Sequence, residues 1–168
     1  MSTTKPSASS SSPLNLTSDS AEQLLARARQ RARELALNYA GALLPAEAYA
    51  LLQQMPSARL LDVRTKAEWE WIGQVPGASK VEWNTWPGGQ RNPAFIEELR
   101  ASLPEQTAPL LLLCRSGGRS SAAAEAATRA GYSLCINILE GFEGDKDSAS
   151  QRNRLGGWRH AGLPWAQS

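Results

Sequence analysis

The stretch LLLLCRSGGRSSAAAEA, residues 110–126, decides how this chain reads. Four consecutive leucines, within the short apolar run APLLLLC, suit a strand buried on both sides, as in a covered parallel sheet. Cys114 ends that run, and Arg115, Ser116, Gly117, Gly118, Arg119 and Ser120 follow at once. The alanine-rich residues 120–132 then predict a helix closed by Gly131. A backbone that leaves a strand, turns through glycines and enters a helix points its N–H groups into one hollow, with the helix dipole behind them. Such a nest holds an anion.

With Cys114 at the mouth, the anion is either its own thiolate or a group bonded to it, and amides with Arg115 or Arg119 activate it without a base. The plainer alternative, a buried cysteine after which glycines merely permit a tight turn, gives the two arginines nothing to do. His160 is the only histidine and could pair with Cys114 only if the tail folds back over the loop. Cys135 is a contrast, because SLCINIL surrounds it with apolar neighbours and no cradle. It reads as a buried, inert thiol.

Outward from the loop, short apolar runs alternate with helical patterns. ARLLDVR (58–64), SKVEW (79–83), APLLLLC (108–114) and SLCINIL (133–139) read as strands. Pro45 with the ten residues after it, KAEWEWI (66–72), NPAFIEELRASL (92–103, with Asn92 as cap and Pro93 as start) and 120–132 read as helices. The pattern predicts an α/β fold, a parallel sheet with helices on both faces, whose ligands bind at the carboxyl ends of the strands. Residues 1–19 are Ser-rich and predict a disordered tail. Residues 20–40 predict an amphipathic N-terminal helix with Arg27, Arg29, Arg31 and Arg33 off its apolar stripe, which either packs on the domain or docks a partner; 41–168 form the domain itself.

The formal net charge of +2 does not suggest a nucleic-acid binder. Two distant cysteines outside any CxxC pair argue against a disulfide framework and against a zinc site. No segment approaches the roughly 20 apolar residues that cross a bilayer, and MSTTKPSASSSSP lacks a signal peptide's apolar centre. A cytoplasmic protein with no membrane or nucleic-acid partner is expected. Glu22 and Glu34 weaken an organelle-targeting reading of the start.

Four segments in order resemble the rhodanese family of sulfurtransferases: LLDVRTKAEW (60–69), GQVPGA (73–78), CRSGGRS (114–120) and GWRHAGLPW (157–165). Gln74 departs from the histidine common in the family's turn. The resemblance implies a rhodanese-like fold and a two-step transfer of sulfane sulfur from thiosulfate or a similar small anionic donor to cyanide, a thiol or a protein acceptor. Cys114 would carry the sulfur as a persulfide, with no metal and no other cofactor. Residues 115–120 would bind the substrate, with Arg115 attracting the donor; Arg119 is expected to pair with Asp62 and brace the loop, and Arg64 to pair with an acidic residue such as Glu68. The long segments 81–93 and 140–154 either line the entrance, through Trp83, Trp86, Arg91, Arg152 or Arg154, or are surface loops with packed tryptophans. Two rivals stand beside this: an interaction module, and a phosphatase or arsenate reductase, whose signature puts five residues between Cys and Arg where this chain has four.

Overall fold

The computed structural model describes residues 18–168, so the expected tail falls, except for its last two residues, outside the described residues. Five strands, β1 (Gly41–Leu43), β2 (Arg59–Asp62), β3 (Ser79–Lys80), β4 (Leu110–Leu113) and β5 (Cys135–Ile138), form one parallel sheet in the order β1-β5-β4-β2-β3. Five helices accompany them: α1 (Ala21–Glu34), α2 (Pro45–Gln54), α3 (Lys66–Trp71), α4 (Phe95–Ser102) and α5 (Gly118–Arg129). Among the described residues no helix is long and apolar enough to cross a membrane.

Alternation along the strands divides the core in two. Leu60, Leu111, Leu113, Ile136 and Ile138 meet Leu24 and Ala28 of α1 and Ala48 and Leu51 of α2. Leu61, Leu110, Leu112, Cys114 and Cys135 meet Leu99 of α4 and Ala123, Ala124 and Ala127 of α5. Helices therefore cover both faces, as the apolar runs predicted.

Helix α1 starts in a capping box, Ser20 with Gln23, and stops at Glu34, six residues before the expected end. The reason is topological. Leu24 and Ala28 pack on one face of the sheet, whereas Tyr39 packs on the other, its hydroxyl 2.8 Å from Ser121 Oγ, so residues 35–40 must carry the chain around the edge. Leu35, 56% exposed, buries too little to hold another turn. The chain then enters β1, a three-residue strand too short to be read from sequence. Glu47 of α2 fixes α1, accepting from Arg27 Nη1 at 2.9 Å and Arg31 Nη2 at 3.2 Å. Burial alone would raise the Glu47 carboxyl, but Arg31, the Leu44 N–H and Arg27 together hold it below its ordinary value. Part of the basic stripe is thus a contact with α2, not a free surface.

Helix α4 begins at Phe95 rather than at Pro93. Asn92 does not cap it: Oδ1 accepts from the Ala94 N–H at 3.0 Å in an Asx turn, while Nδ2 donates to the Glu82 carbonyl at 2.9 Å and Glu98 Oε2 at 3.1 Å. Gln74 in the turn after α3 pairs through its backbone with Ala166, N–H to carbonyl at 2.8 and 2.9 Å, and this pairing does not depend on the side chain there.

Leu24→Ala is expected to lower the unfolding free energy by about 2–5 kcal/mol through the cavity it leaves. Arg29→Ala, on the exposed side of α1, should change it by less than about 0.5 kcal/mol. Urea midpoints of the two variants check both values.

Candidate active site

Strand β4 ends at Leu113, so Cys114 stands at the carboxyl end of a central strand, 1% exposed. Its Sγ accepts the Gly117 N–H at 3.1 Å and lies 3.2 Å from Ser120 Oγ. Gly117, at φ 108°, is the N-cap of α5, and this left-handed residue bends the chain from loop to helix. Ser116 is half-buried, and Gly118 and Arg115 are exposed at the rim. The strand, the turn and the helix stand in the order that the sequence predicted, with one loop amide, that of Gly117, on the sulfur.

The Ser120 hydroxyl has one hydrogen and three near partners, Cys114 Sγ at 3.2 Å, the Gly117 carbonyl at 3.3 Å and Asn137 Oδ1 at 2.6 Å. Asn137 also donates through Nδ2 to the Gly117 carbonyl at 3.2 Å, so one buried amide holds both the first and the last contact of the loop. Sequence reasoning missed Asn137. Its signal was present: a single amide inside SLCINIL, two residues beyond Cys135 and so on the same face.

The loop is also held from behind. Phe142 N–H donates to the Cys114 carbonyl at 2.8 Å and Glu143 N–H to the Arg115 carbonyl at 2.9 Å. This approach needs glycine at position 141, where φ is 64° and a Cβ would lie 2.5 Å from the Cys114 carbonyl oxygen. Residues 141–144 are buried, so the start of the 140–154 segment is neither an entrance lining nor a surface loop but a buttress under the loop. Arg152 donates to the Gly144 carbonyl at 2.7 Å, and Arg154 is exposed.

The expected ion pairs are exchanged. Asp62 pairs with Arg64, not Arg119: Arg64 Nη2 to Oδ2 is 2.7 Å, Nε to Oδ1 is 3.0 Å, and both side chains are fully buried. Residues two apart near a strand end point to one side, and there the Arg64 guanidinium also lies 4.2 Å over the Phe142 ring and donates to the Gly73 carbonyl at 2.8 Å. Arg119 instead forks onto Glu68 in the first turn of α3, at 2.7 and 2.9 Å. Burial would raise the Glu68 carboxyl, but the Arg119 hydrogen bonds and charge, with the Thr65 N–H, outweigh it and hold the carboxyl below its ordinary range. The brace exists, with Glu68 in the role expected of Asp62.

The remaining candidates separate clearly. Trp83 is packed, edge-to-face on Phe95 at 4.9 Å with the Arg91 guanidinium 3.0 Å above it. Trp86 is 67% exposed and borders, with Arg115, a hollow just outside the loop. His160 is exposed, with Nδ1 3.2 Å from the Asn153 carbonyl. Burial pushes the Cys135 thiol up to about 11, which fits an inert core group.

Acidification tests the brace. A carboxyl held low by folding contributes fully above the ordinary glutamate value of about 4.3 and loses that contribution as pH falls through its folded value. Wild-type protein should therefore lose more stability than Glu68→Gln between pH 7 and pH 3, compared by urea midpoints. Equal losses would remove Glu68–Arg119 as a stabilising pair.

Comparison with known proteins agrees with this geometry. An uncharacterised protein of Rickettsia conorii is 36% identical over 122 residues, covering 71% of this chain and 91% of that protein. A crystal structure of an M. tuberculosis protein has 43% identity and a TM-score of 0.72, covering 77% of this chain and 99% of that one. The polysulfide-sulfur transferase homodimer of Wolinella succinogenes shares the fold at 22% identity and a TM-score of 0.52, covering 76% and 78% of the two chains. The Rhodanese-like domain family matches residues 44–148, which span four of the five strands, β2 to β5, with the Cys114 loop and its buttress, and the chain belongs to that family.

Proposed function

We propose that the protein is a sulfurtransferase that carries sulfane sulfur on Cys114. The observation that carries this reading is the Gly117 amide donating to Cys114 Sγ at the N-terminus of α5, with the Ser120 hydroxyl 3.2 Å from the same sulfur. Groups aimed at a sulfur atom stabilise negative charge there, on the thiolate before transfer and on the persulfide after it.

In the first step Cys114 thiolate attacks the outer sulfur of thiosulfate or a similar donor. The donor's S–S bond breaks, its electron pair leaves with sulfite, and Cys114 becomes a persulfide. In the second step cyanide or a thiolate attacks the outer sulfur, and the electron pair of the broken bond returns to Cys114 Sγ. Atoms and charge balance without metal or organic cofactor. Arg115 attracts the anionic donor, since it carries no side-chain ion pair among the described residues. A cytoplasmic setting, where thiols stay reduced, suits this chemistry.

The pairing of Arg119 favours sulfur over phosphate. A cysteine phosphatase needs its loop arginine turned onto the oxyanion, and here Arg119 Nη1 and Nη2 are turned onto Glu68. The four-residue spacing from Cys114 to Arg119 also encloses less volume than five would.

Intact mass after thiosulfate treatment and desalting tests the proposal. Wild type should gain one sulfur, lose it to cyanide with release of thiocyanate, and lose it to a reducing thiol; Cys114→Ser should gain none. A folded wild type that never gains sulfur refutes the mechanism. Arg115→Ala should raise KM for thiosulfate by up to about fivefold at low salt, as an exposed charge interaction of about 1 kcal/mol implies, with the difference shrinking as salt is added.

A further inference from the structure

Outside the Cys114 loop, α3 and the 84–91 segment enclose a hollow of about 330 Å³. Thr65, Ala67, Glu68, Trp71 and Ile72 line it from α3 and its two ends, together with Trp86 and with Arg115 of the loop. Trp71 is 73% exposed and Trp86 67%, so two indoles present apolar faces to water at one place beside the site. Isolated exposed apolar groups are ordinary, but a pair lining a concave surface marks a binding site.

Charge narrows the ligand further. Arg119 is neutralised by Glu68, and Arg115 is left as the cation at the rim. Shape narrows it again, because Cys114 is 1% exposed and only a slender group reaches its sulfur. A blunt protein surface fits this entry poorly; a sulfhydryl on a short unbranched arm fits it well.

We infer that the hollow binds the sulfur acceptor, a small organic thiol with a flat apolar body and a carboxylate. The inference rests on the sulfurtransferase reading. The body lies between Trp71 and Trp86, the carboxylate meets Arg115, and the arm delivers a thiolate to the persulfide. The acceptor's sulfur forms a bond to the outer sulfur, the bond from that sulfur to Cys114 Sγ breaks, and its electron pair stays on Sγ as thiolate. The acceptor leaves as an organic persulfide, with no oxidant or reductant consumed.

The test loads Cys114 with thiosulfate, desalts, and follows loss of the added sulfur to three thiols. 3-Mercaptopropionate has the charge, phenylmethanethiol the body, and 4-(mercaptomethyl)benzoate both. The last should show saturation, and its kcat/KM relative to 3-mercaptopropionate should fall about tenfold in Trp86→Ala and in Trp71→Ala, the upper end of what one aromatic contact supplies. Comparing ratios between variants cancels the intrinsic reactivity of each thiol. Arg115→Ala should erase the advantage of 4-(mercaptomethyl)benzoate over phenylmethanethiol. Calorimetry with 4-methylbenzoate, which has the body and charge without a thiol, should give saturable binding that Trp86→Ala removes. Ratios unchanged in both tryptophan variants, or no binding of 4-methylbenzoate, overturn the inference while a persulfide that still forms leaves the sulfurtransferase reading intact. Failure of wild type to form the persulfide overturns both.

Discussion

A loop that turns its amides inward to hold an anion must turn carbonyls the other way, and a buried carbonyl needs a donor. In this protein the Cys114 and Arg115 carbonyls face the segment after β5, where the Phe142 and Glu143 amides meet them. That requirement reaches far. It demands glycine at 141, it ties the segment to the Trp158 N–H through the Gly141 carbonyl at 2.8 Å, and it buries Trp158 completely in the core. The C-terminal part of the chain is thus built around the back of the loop.

Charge is arranged by the same economy of contacts. Arg64 and Asp62 are wholly buried, and removing either partner would leave a charge that low-dielectric surroundings penalise by several kcal/mol. Phe142 lies under Arg64 and also sits 5.1 Å from the Arg159 guanidinium, so one ring of the buttress meets two cations. Arg119 and Glu68 do the corresponding work on the solvent side, joining the start of α5 to α3. With Arg119 paired to Glu68, Arg115 is the loop arginine that is exposed and carries no ion pair among the described residues.

Much of this was legible in the sequence because the informative patterns are local. Four leucines before Cys114 gave the strand, two glycines the turn, and alanines the helix; the position of the sulfur followed from them. What could not be read depended on which residues face each other across the fold. The pairing of Asp62 with Arg64 was accessible in principle from the two-residue period, but Glu68 with Arg119 needs α3 and α5 brought together. Strand β1 was hidden because GAL has too few residues to show a period, and its role comes from pairing with β5. Asn137 acquires its role only when the loop is folded over it, its Nδ2 reaching the Gly117 carbonyl at 3.2 Å.

The order of strands also bears on how the chain comes to be folded. Gly41 aligns with Ile136 and Leu43 with Ile138, so the first strand finds its partner only in the last. Contacts this distant in sequence close a long loop and slow folding. During synthesis, the apolar side of α1 cannot settle against the finished sheet until β5 has left the ribosome. Through that interval Leu24 and Ala28 have only α2 and a lone edge strand to shelter them, and a nascent chain stalled short of residue 138 would expose a greasy N-terminal helix to chaperones.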